Sequence, residues 1–258
     1  MLSMRRGVGT RTLQLLEEIV LIARRAGTAM LDVYQSGFDV RAKEDASPIT
    51  EADDRAHQII ARALGMLTPD VPVISEEGVR AADACERFWL VDPLDGTKEF
   101  VNRNGEFTIN IALIEEGRPT LGVVLAPAMG RLFAGAPGIA FKEIGSERKT
   151  IACRCVPPDG ITVLTSRSHN ADEAMTKFLG GRRIARLLAA GSSLKFCLIA
   201  SGEADLYPRL GPTMEWDTAA GHAVLAAAGG RVTTLDGEEL QYGKPGLANP
   251  HFLAFGSA

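Results

Sequence analysis

The sequence predicts an α/β layered sandwich, an α+β arrangement of helices packed on sheets, and three observations carry that expectation. Residues 107–135 repeat short apolar runs separated by Gly-containing turns, the rhythm of an antiparallel meander. Residues 12–35 and 50–66 place apolar side chains at helical spacing, so each offers one apolar stripe to a sheet. Beyond residue 160, strand-like and helix-like runs alternate, which asks for a second, smaller α/β unit. The chain is divided accordingly: 1–145 forms an N-terminal α+β domain with a mostly antiparallel sheet, and 146–258 forms a C-terminal α/β domain.

The elements follow in order. Leu13, Leu16, Ile19, Val20, Ala23, Ala26, Met30 and Val33 line the first helix, with Glu and Arg on its outer face. A short strand is expected near 37–43 and is punctuated by Asp45-Ala46-Ser47-Pro48. Thr50 can cap the second helix, which runs to about Met66 with Asp53 and Asp54 in its first turn. Residues 71–74 read as a strand ending on Ser75-Glu76-Glu77-Gly78, and 80–87 as a loop. The meander occupies 107–114, 120–125 and 131–135. Residues 141–154 are polar and contain Gly145, so the domain boundary is placed there. In the second half, 163–166 is a strand and a helix begins near Asp172. Gly191-Ser192-Ser193 precedes a helix over 194–200, and 204–210 is a strand. A small-residue helix starts at Trp216-Asp217 and stops at Gly229-Gly230, before strands at 231–235 and 252–255.

Composition narrows the function classes. The 258 residues are 46% hydrophobic and 23% charged, values of a globular protein with a sizeable core. With 28 basic and 32 acidic residues the net charge is −4, so no global field draws the chain to nucleic acid or to an anionic membrane. An anionic ligand must be held locally, by metal or by a few placed cations. Cys85, Cys153, Cys155 and Cys197 lack framework spacing and a second ligand pair, which points to free thiols in a reducing compartment, not to zinc. No apolar run approaches a membrane span. Residues 1–10 read as a frayed start.

Chemistry concentrates in Trp89-Leu90-Val91-Asp92-Pro93-Leu94-Asp95-Gly96-Thr97. An apolar strand delivers two carboxylates separated only by Pro93 and Leu94, and such oxygens suit a hard cation. Gly96 lets backbone approach a ligand closely, and the amides of Gly96 and Thr97 would face an anion. Glu76 and Glu77 follow a strand, so one can face a cleft while the other faces away. Asp217 stands at a helix start. Glu76, Asp92, Asp95 and Asp217 are all oxygen donors without His or Cys companions, so the metal implied is Mg²⁺ or Mn²⁺. Asp53 either complements the positive end of its helix or orients a water beside that metal. Taken alone, Lys195 reads as a helix-surface charge and Arg209 as a salt-bridge partner.

Asp53, Glu76-Glu77, the run from Asp92 to Thr97 and Trp216-Asp217-Thr218-Ala219-Ala220 together resemble the lithium-sensitive, Mg²⁺-dependent phosphatases of the inositol monophosphatase superfamily. Gly96-Thr97-Lys98-Glu99-Phe100, Asn104-Gly105-Glu106-Phe107-Thr108-Ile109-Asn110, Gly191-Ser192-Ser193-Leu194-Lys195-Phe196 and Leu206-Tyr207-Pro208-Arg209 look most like the bacterial 3′(2′),5′-bisphosphate nucleotidases within it. The resemblance spans nearly the whole chain after about residue 12, although the loop from Gly78 to Arg87 is short compared with eukaryotic nucleotidases.

This resemblance implies α-β-α-β-α layering and two or three Mg²⁺ ions, with Mn²⁺ as a substitute. Glu76, Asp92 and the Leu94 carbonyl would hold one ion, and Asp92, Asp95 and Asp217 a second. Asp53, Glu76 and Thr97 would be the catalytic residues, acting on the attacking water. Asp95, Gly96, Thr97, His169, Ser192, Lys195, Arg209 and Asp217 would contact the substrate, a small nucleotide bisphosphate. The implied reaction removes the 3′-phosphate of adenosine 3′,5′-bisphosphate (PAP) to give AMP, and extends to PAPS, in sulfur assimilation. Inositol phosphate or another sugar phosphate is the alternative substrate, and a non-catalytic nucleotide-binding regulator the alternative class. The implied location is cytoplasmic, with peripheral association at the inner membrane.

Overall fold

The computed structural model describes residues 2–36, 40–42, 48–78, 85–167 and 178–256. Seven strands form the larger sheet: β3 (Val73–Ser75), β4 (Arg87–Asp95), β5 (Thr108–Glu115), β6 (Arg118–Ala126), β7 (Arg131–Ala136), β8 (Ile139–Ile144) and β9 (Glu147–Thr150). They lie side by side in chain order, β3 parallel to β4 and all later pairs antiparallel. Two short strands, β1 (Val40–Ala42) and β2 (Pro48–Thr50), pair antiparallel apart from it.

Both faces of the large sheet are covered, which is why its strands read as nearly continuous apolar runs. Trp89, Val91, Ile109, Ile111, Leu113, Val123 and Leu125 point to one face, where they pack with Leu16, Ile19, Met30, Ile60 and Leu64 of helices α1 (Leu2–Ser36) and α2 (Glu51–Leu67). Alternate residues Phe88, Leu90, Ala112, Ile114, Val124 and Phe133 point to the other, against α4 (Leu194–Ala200) and α5 (Ala219–Ala227). The small residues of α5 let it sit close to the sheet. A Cβ on Gly122 would stand 2.4 Å from the Ala220 carbonyl oxygen, and one on Gly135 2.6 Å from the Val224 Cα.

Beyond α4 and α5 lies a five-stranded sheet ordered β11-β10-β12-β14-β13, made of β10 (Ile161–Ser166), β11 (Ile184–Ala190), β12 (Leu206–Arg209), β13 (Arg231–Thr234) and β14 (Phe252–Phe255). β10 is parallel to β11 and β12, while β14 runs antiparallel to β12 and β13. On its outer face Val163 and Leu206 pack with Phe178 and Leu179. The helix expected from Asp172, which would complete the fifth layer, begins outside the described residues.

Two expectations are corrected. Residues 141–154, read as a polar boundary, contribute β9 and most of β8, so the large sheet continues to Thr150 and the expected division at 145 falls on a hairpin turn. The hairpin's charges on β9 are exposed but paired: Arg148 binds Glu143 and Glu17, Arg24 of α1 reaches the same Glu143, and Arg148 lies over the Phe141 ring at 4.0 Å. The helix read from Trp216 starts at Ala219, leaving Trp216, Asp217 and Thr218 as the turn that leads into it. All four cysteines carry free thiols. No helix among the described residues is long and apolar enough to cross a membrane.

Candidate active site

The corner at Asp92 and Asp95 is made by an irregularity in β4. Asp92 pairs with Asn110 and Asp95 with Thr108, so β4 spends one residue more than β5 over the same distance. In an unbroken strand, residues three apart point to opposite faces, whereas here both partners are two apart and share a face. The extra residue therefore turns both carboxylates toward the side that carries α4, α5 and the second sheet. Pro93 is tolerated because a bulge leaves its missing N–H without a ladder partner to lose. The Leu94 N–H donates to Asp92 Oδ1 at 3.0 Å, fixing the bend.

Neighbouring elements bring in the other acids. The parallel register sets Ile74 beside Leu90 and Ser75 beside Val91, which carries Glu76 to the level of Asp92, and the Glu76 N–H donates to the Val91 carbonyl at 3.2 Å. Asp53 is fully buried in the first turn of α2. Asp217 Oδ2 accepts the Met214 N–H at 2.8 Å at the entry to α5. Burial drives the Asp92 pKa far upward, and the negative charges of Glu76, Asp95, Asp217 and Asp53 push the same way. Asp217 is raised to about 8 by burial and then by Asp95. Asp95 is raised to about 6 by burial, against the opposing pull of Lys195, the Ser193 amide and Asn110. As the side chains stand, no three His, Cys, Asp or Glu groups among the described residues form a closed metal-holding set. Burial holds these carboxylates near one another, each raising its neighbours' pKa, and a hard divalent cation is the group that would offset the repulsion of their ionised forms. The donor set fits such an ion.

Gly96 stands at φ +90° before α3 (Thr97–Val101), and a Cβ there would meet Ser192 Oγ at 2.3 Å. Both the left-handed backbone and the close approach require glycine. Ser192 Oγ lies 2.9 Å from the Asp95 carbonyl and 2.8 Å from that of Glu106. Its hydroxyl proton is thus engaged by the scaffold. The Ser193 N–H donates to Asp95 Oδ2 at 2.7 Å, while Ser193 Oγ donates to Asn110 Oδ1 at 2.6 Å.

A cavity of about 210 Å³ opens here, and Asp95, Gly96, Ser192, Lys195, Arg209 and Asp217 are among its lining residues. Lys195 is buried, contrary to its reading as a surface charge. Its Nζ donates to the Ser192 carbonyl at 2.6 Å and the Ala190 carbonyl at 3.2 Å, and lies 5.2 Å from the centre of the Tyr207 ring. An ammonium has three donors, so one remains. Burial lowers its pKa to about 8 against the pull of Asp95, which leaves it cationic at neutral pH. Arg209 Nη2 donates to the Pro212 carbonyl at 2.8 Å, and its buried Nε finds no hydrogen-bond partner among the described residues. Thr97 opens α3 beside this cavity, and Leu94 packs its side chain among the core residues on the α1 and α2 side. His169 lies outside the described residues.

Sequence reasoning missed Thr108, Asn110 and Ser193, which bind Asp95 directly or through one another. The signal was present as two polar residues at alternate positions of an otherwise apolar strand, Thr108 and Asn110, since a buried strand spends polar side chains where they have a partner.

The profile of the inositol monophosphatase family matches residues 13–254. The 3'(2'),5'-bisphosphate nucleotidase CysQ of Escherichia coli K12 is 50% identical over 244 residues, covering 92% of this chain and 98% of that protein. Its counterpart from Haemophilus influenzae is 33% identical over 261 residues, covering 94% and 93%. Among solved structures, CysQ from Bacteroides thetaiotaomicron superposes with a TM-score of 0.81 at 35% identity over 95% of this chain and 98% of that one. A Thermotoga maritima IMPase does so with a TM-score of 0.76 at 26% identity over 94% and 92%.

Proposed function

Because this chain belongs to the inositol monophosphatase family, we propose that it is a Mg²⁺-dependent 3′(2′),5′-bisphosphate nucleotidase, a phosphatase that removes the 3′-phosphate of adenosine 3′,5′-bisphosphate. The products are AMP and phosphate, and PAPS is a second substrate. The observation that carries this reading is one cavity lined by the acids Asp95 and Asp217 and by the cations Lys195 and Arg209 together. A ligand with two separated phosphates needs both.

Glu76, Asp92 and the Leu94 carbonyl would hold one divalent ion, and Asp92, Asp95 and Asp217 another. When bound, such ions neutralise charge on the phosphoryl group and favour the deprotonated form of water. The residues of the chain do the rest. Asp53, with Thr97 and Glu76, orients the attacking water and takes up its proton. The water oxygen forms a bond to phosphorus as the bond to the ribose 3′ oxygen breaks, and that oxygen leaves with a proton from solvent. The amides of Gly96 and Thr97 donate to phosphoryl oxygens. The remaining donor of Lys195 and the guanidinium of Arg209 receive the second phosphate, with Ser192 and His169 on the nucleotide side.

The test is phosphate release from adenosine 3′,5′-bisphosphate, inositol 1-phosphate and fructose 1,6-bisphosphate, compared with Mg²⁺ under the same conditions. The bisphosphate nucleotide is expected to give the highest kcat/KM. A higher value for inositol 1-phosphate contradicts the substrate, and no release from any of the three, with nucleotide binding retained, identifies a binder instead of an enzyme.

A further inference from the structure

Glu106 lies in the connection between α3 and β5, with no place in the acid set, yet it gathers bonds from three parts of the chain. Its own N–H donates to Asn104 Oδ1 at 2.9 Å, which fixes the turn that presents it. Its carboxylate accepts the Gly191 N–H at 2.8 Å and both prongs of the Arg167 guanidinium. Its carbonyl accepts from Ser192 Oγ at 2.8 Å. Contact at Gly191 is tight enough that a Cβ there would stand 2.8 Å from the Glu106 carbonyl oxygen.

These bonds join the two sheets. Glu106 enters β5 of the large sheet, Arg167 leaves β10 of the smaller one, and Gly191 follows its edge strand β11. The loop they hold also donates the Ser193 amide to Asp95 and offers the Ser192 carbonyl to Lys195. We propose that Glu106 is a positioning residue: by bridging Arg167 and the Gly191 amide it latches the loop that carries Ser192 and Ser193 and leads into Lys195 of α4 against the Asp95 corner, and so sets how tightly the nucleotide is held. The part concerning the nucleotide rests on the function proposed above; the latch itself rests on the hydrogen bonds. Burial pushes the Glu106 pKa up, but the Arg167 guanidinium and the Gly191 amide outweigh it and hold the carboxyl below its ordinary range, so the latch is charged at neutral pH.

The experiment compares wild type, Glu106→Ala, Glu106→Gln, Arg167→Ala and the double variant Glu106→Ala/Arg167→Ala, each with saturating Mg²⁺. Steady-state kinetics on adenosine 3′,5′-bisphosphate are combined with amide hydrogen exchange over residues 190–193. Loss of a charge-assisted bond on the binding side is expected to raise KM for Glu106→Ala by about tenfold or more, with kcat changed by less than about threefold. The amides of the loop should exchange at least about tenfold faster. Glu106→Gln, which keeps an acceptor for Gly191, and Arg167→Ala, which keeps the Gly191 bond, should each fall between wild type and Glu106→Ala. The double variant should be no worse than Glu106→Ala alone, because both residues act through one contact. A folded Glu106→Ala with wild-type exchange in this loop overturns the latch, as does an unchanged KM where the wild type turns the substrate over. If the wild type releases no phosphate, the proposed function falls and the exchange measurement still decides the latch.

Discussion

The backbone amide of Ser193 donates to Asp95 Oδ2 at 2.7 Å, joining residues 98 positions apart. One end is the acidic corner of the large sheet and the other is the loop before α4. The contact occupies one oxygen of Asp95, and with Thr108 and Asn110 it fixes which way the carboxylate faces. The acid proposed above as a cation ligand is thereby held in place by neutral donors, which orient it without cancelling its charge.

Repulsion among the acids gives the first prediction. Asp92 is buried among like charges, so Asp92→Asn removes a destabilising carboxylate from the metal-free protein. Its stability without metal should rise by roughly 1–2 kcal/mol, about 2–8 °C in Tm, while Mg²⁺-dependent turnover falls by at least about a thousandfold. Calorimetry in EDTA and a phosphate-release assay check both halves. A metal-free Tm below wild type contradicts the repulsion.

Linkage to pH gives the second. The Asp217 pKa is about 8 in the fold, above its ordinary value of 3.8, so the native state keeps a proton that the unfolded chain has already released. That contribution is complete below the unfolded value and is lost as pH rises through about 8. Between pH 6.5 and 8 Asp217 alone should therefore cost the metal-free protein up to about 1.4 kcal/mol per pH unit, and Asp92, raised likewise, adds in the same direction, so Asp217→Asn should melt with a shallower dependence than wild type. Urea melts in EDTA read this slope. Saturating Mg²⁺, which needs the ionised form, should flatten or reverse it.

His222 works with the opposite sign. Burial holds its pKa at about 3, and Nδ1 lies 3.1 Å from the Tyr242 hydroxyl. The unfolded chain takes up the proton first, so this contribution is complete above about pH 6.5 and is lost as pH falls toward 3. The loss is about 1.4 kcal/mol per pH unit. His222→Gln should melt with a shallower dependence between pH 4 and 6 than wild type, measured by urea titration.

Much of the candidate site was legible because its chemistry is local: Asp92 and Asp95 lie within one six-residue run, and Glu76 directly follows a recognisable strand. The bulge that turns both acids to one face was not, since it is defined by the pairing of β4 with β5 and leaves no mark on β4 alone. The edge strand β11 was missed because its residues are mostly exposed and include Arg186, so no buried alternation appears. The hairpin of β8 and β9 reads in the sequence as a polar domain boundary because its charges are paired with Glu17 and Arg24 on α1, partners distant in sequence. The meander and the helices of the first half were readable because burial on a sheet face imposes period two, and on a helix period 3.6.

Packing supplies a further prediction. Gly122→Val would drive a branched side chain into the Ala220 backbone and the Ala223 methyl group, where a Cβ alone already stands 2.4 and 2.7 Å away. The helix must lift from the sheet, and the cost should reach about 3 kcal/mol or more. Urea unfolding measures it; a change below 1 kcal/mol would mean that α5 moves away freely.

The claim on which the rest depends is that Glu76, Asp92, Asp95 and Asp217 share divalent ions. Crystals soaked in Mn²⁺ and measured by anomalous scattering test it most directly. Strong peaks are expected between Asp92 and Glu76 and between Asp92, Asp95 and Asp217. Anomalous density confined to other parts of the molecule, with these four carboxylates unliganded at saturating Mn²⁺, would contradict it.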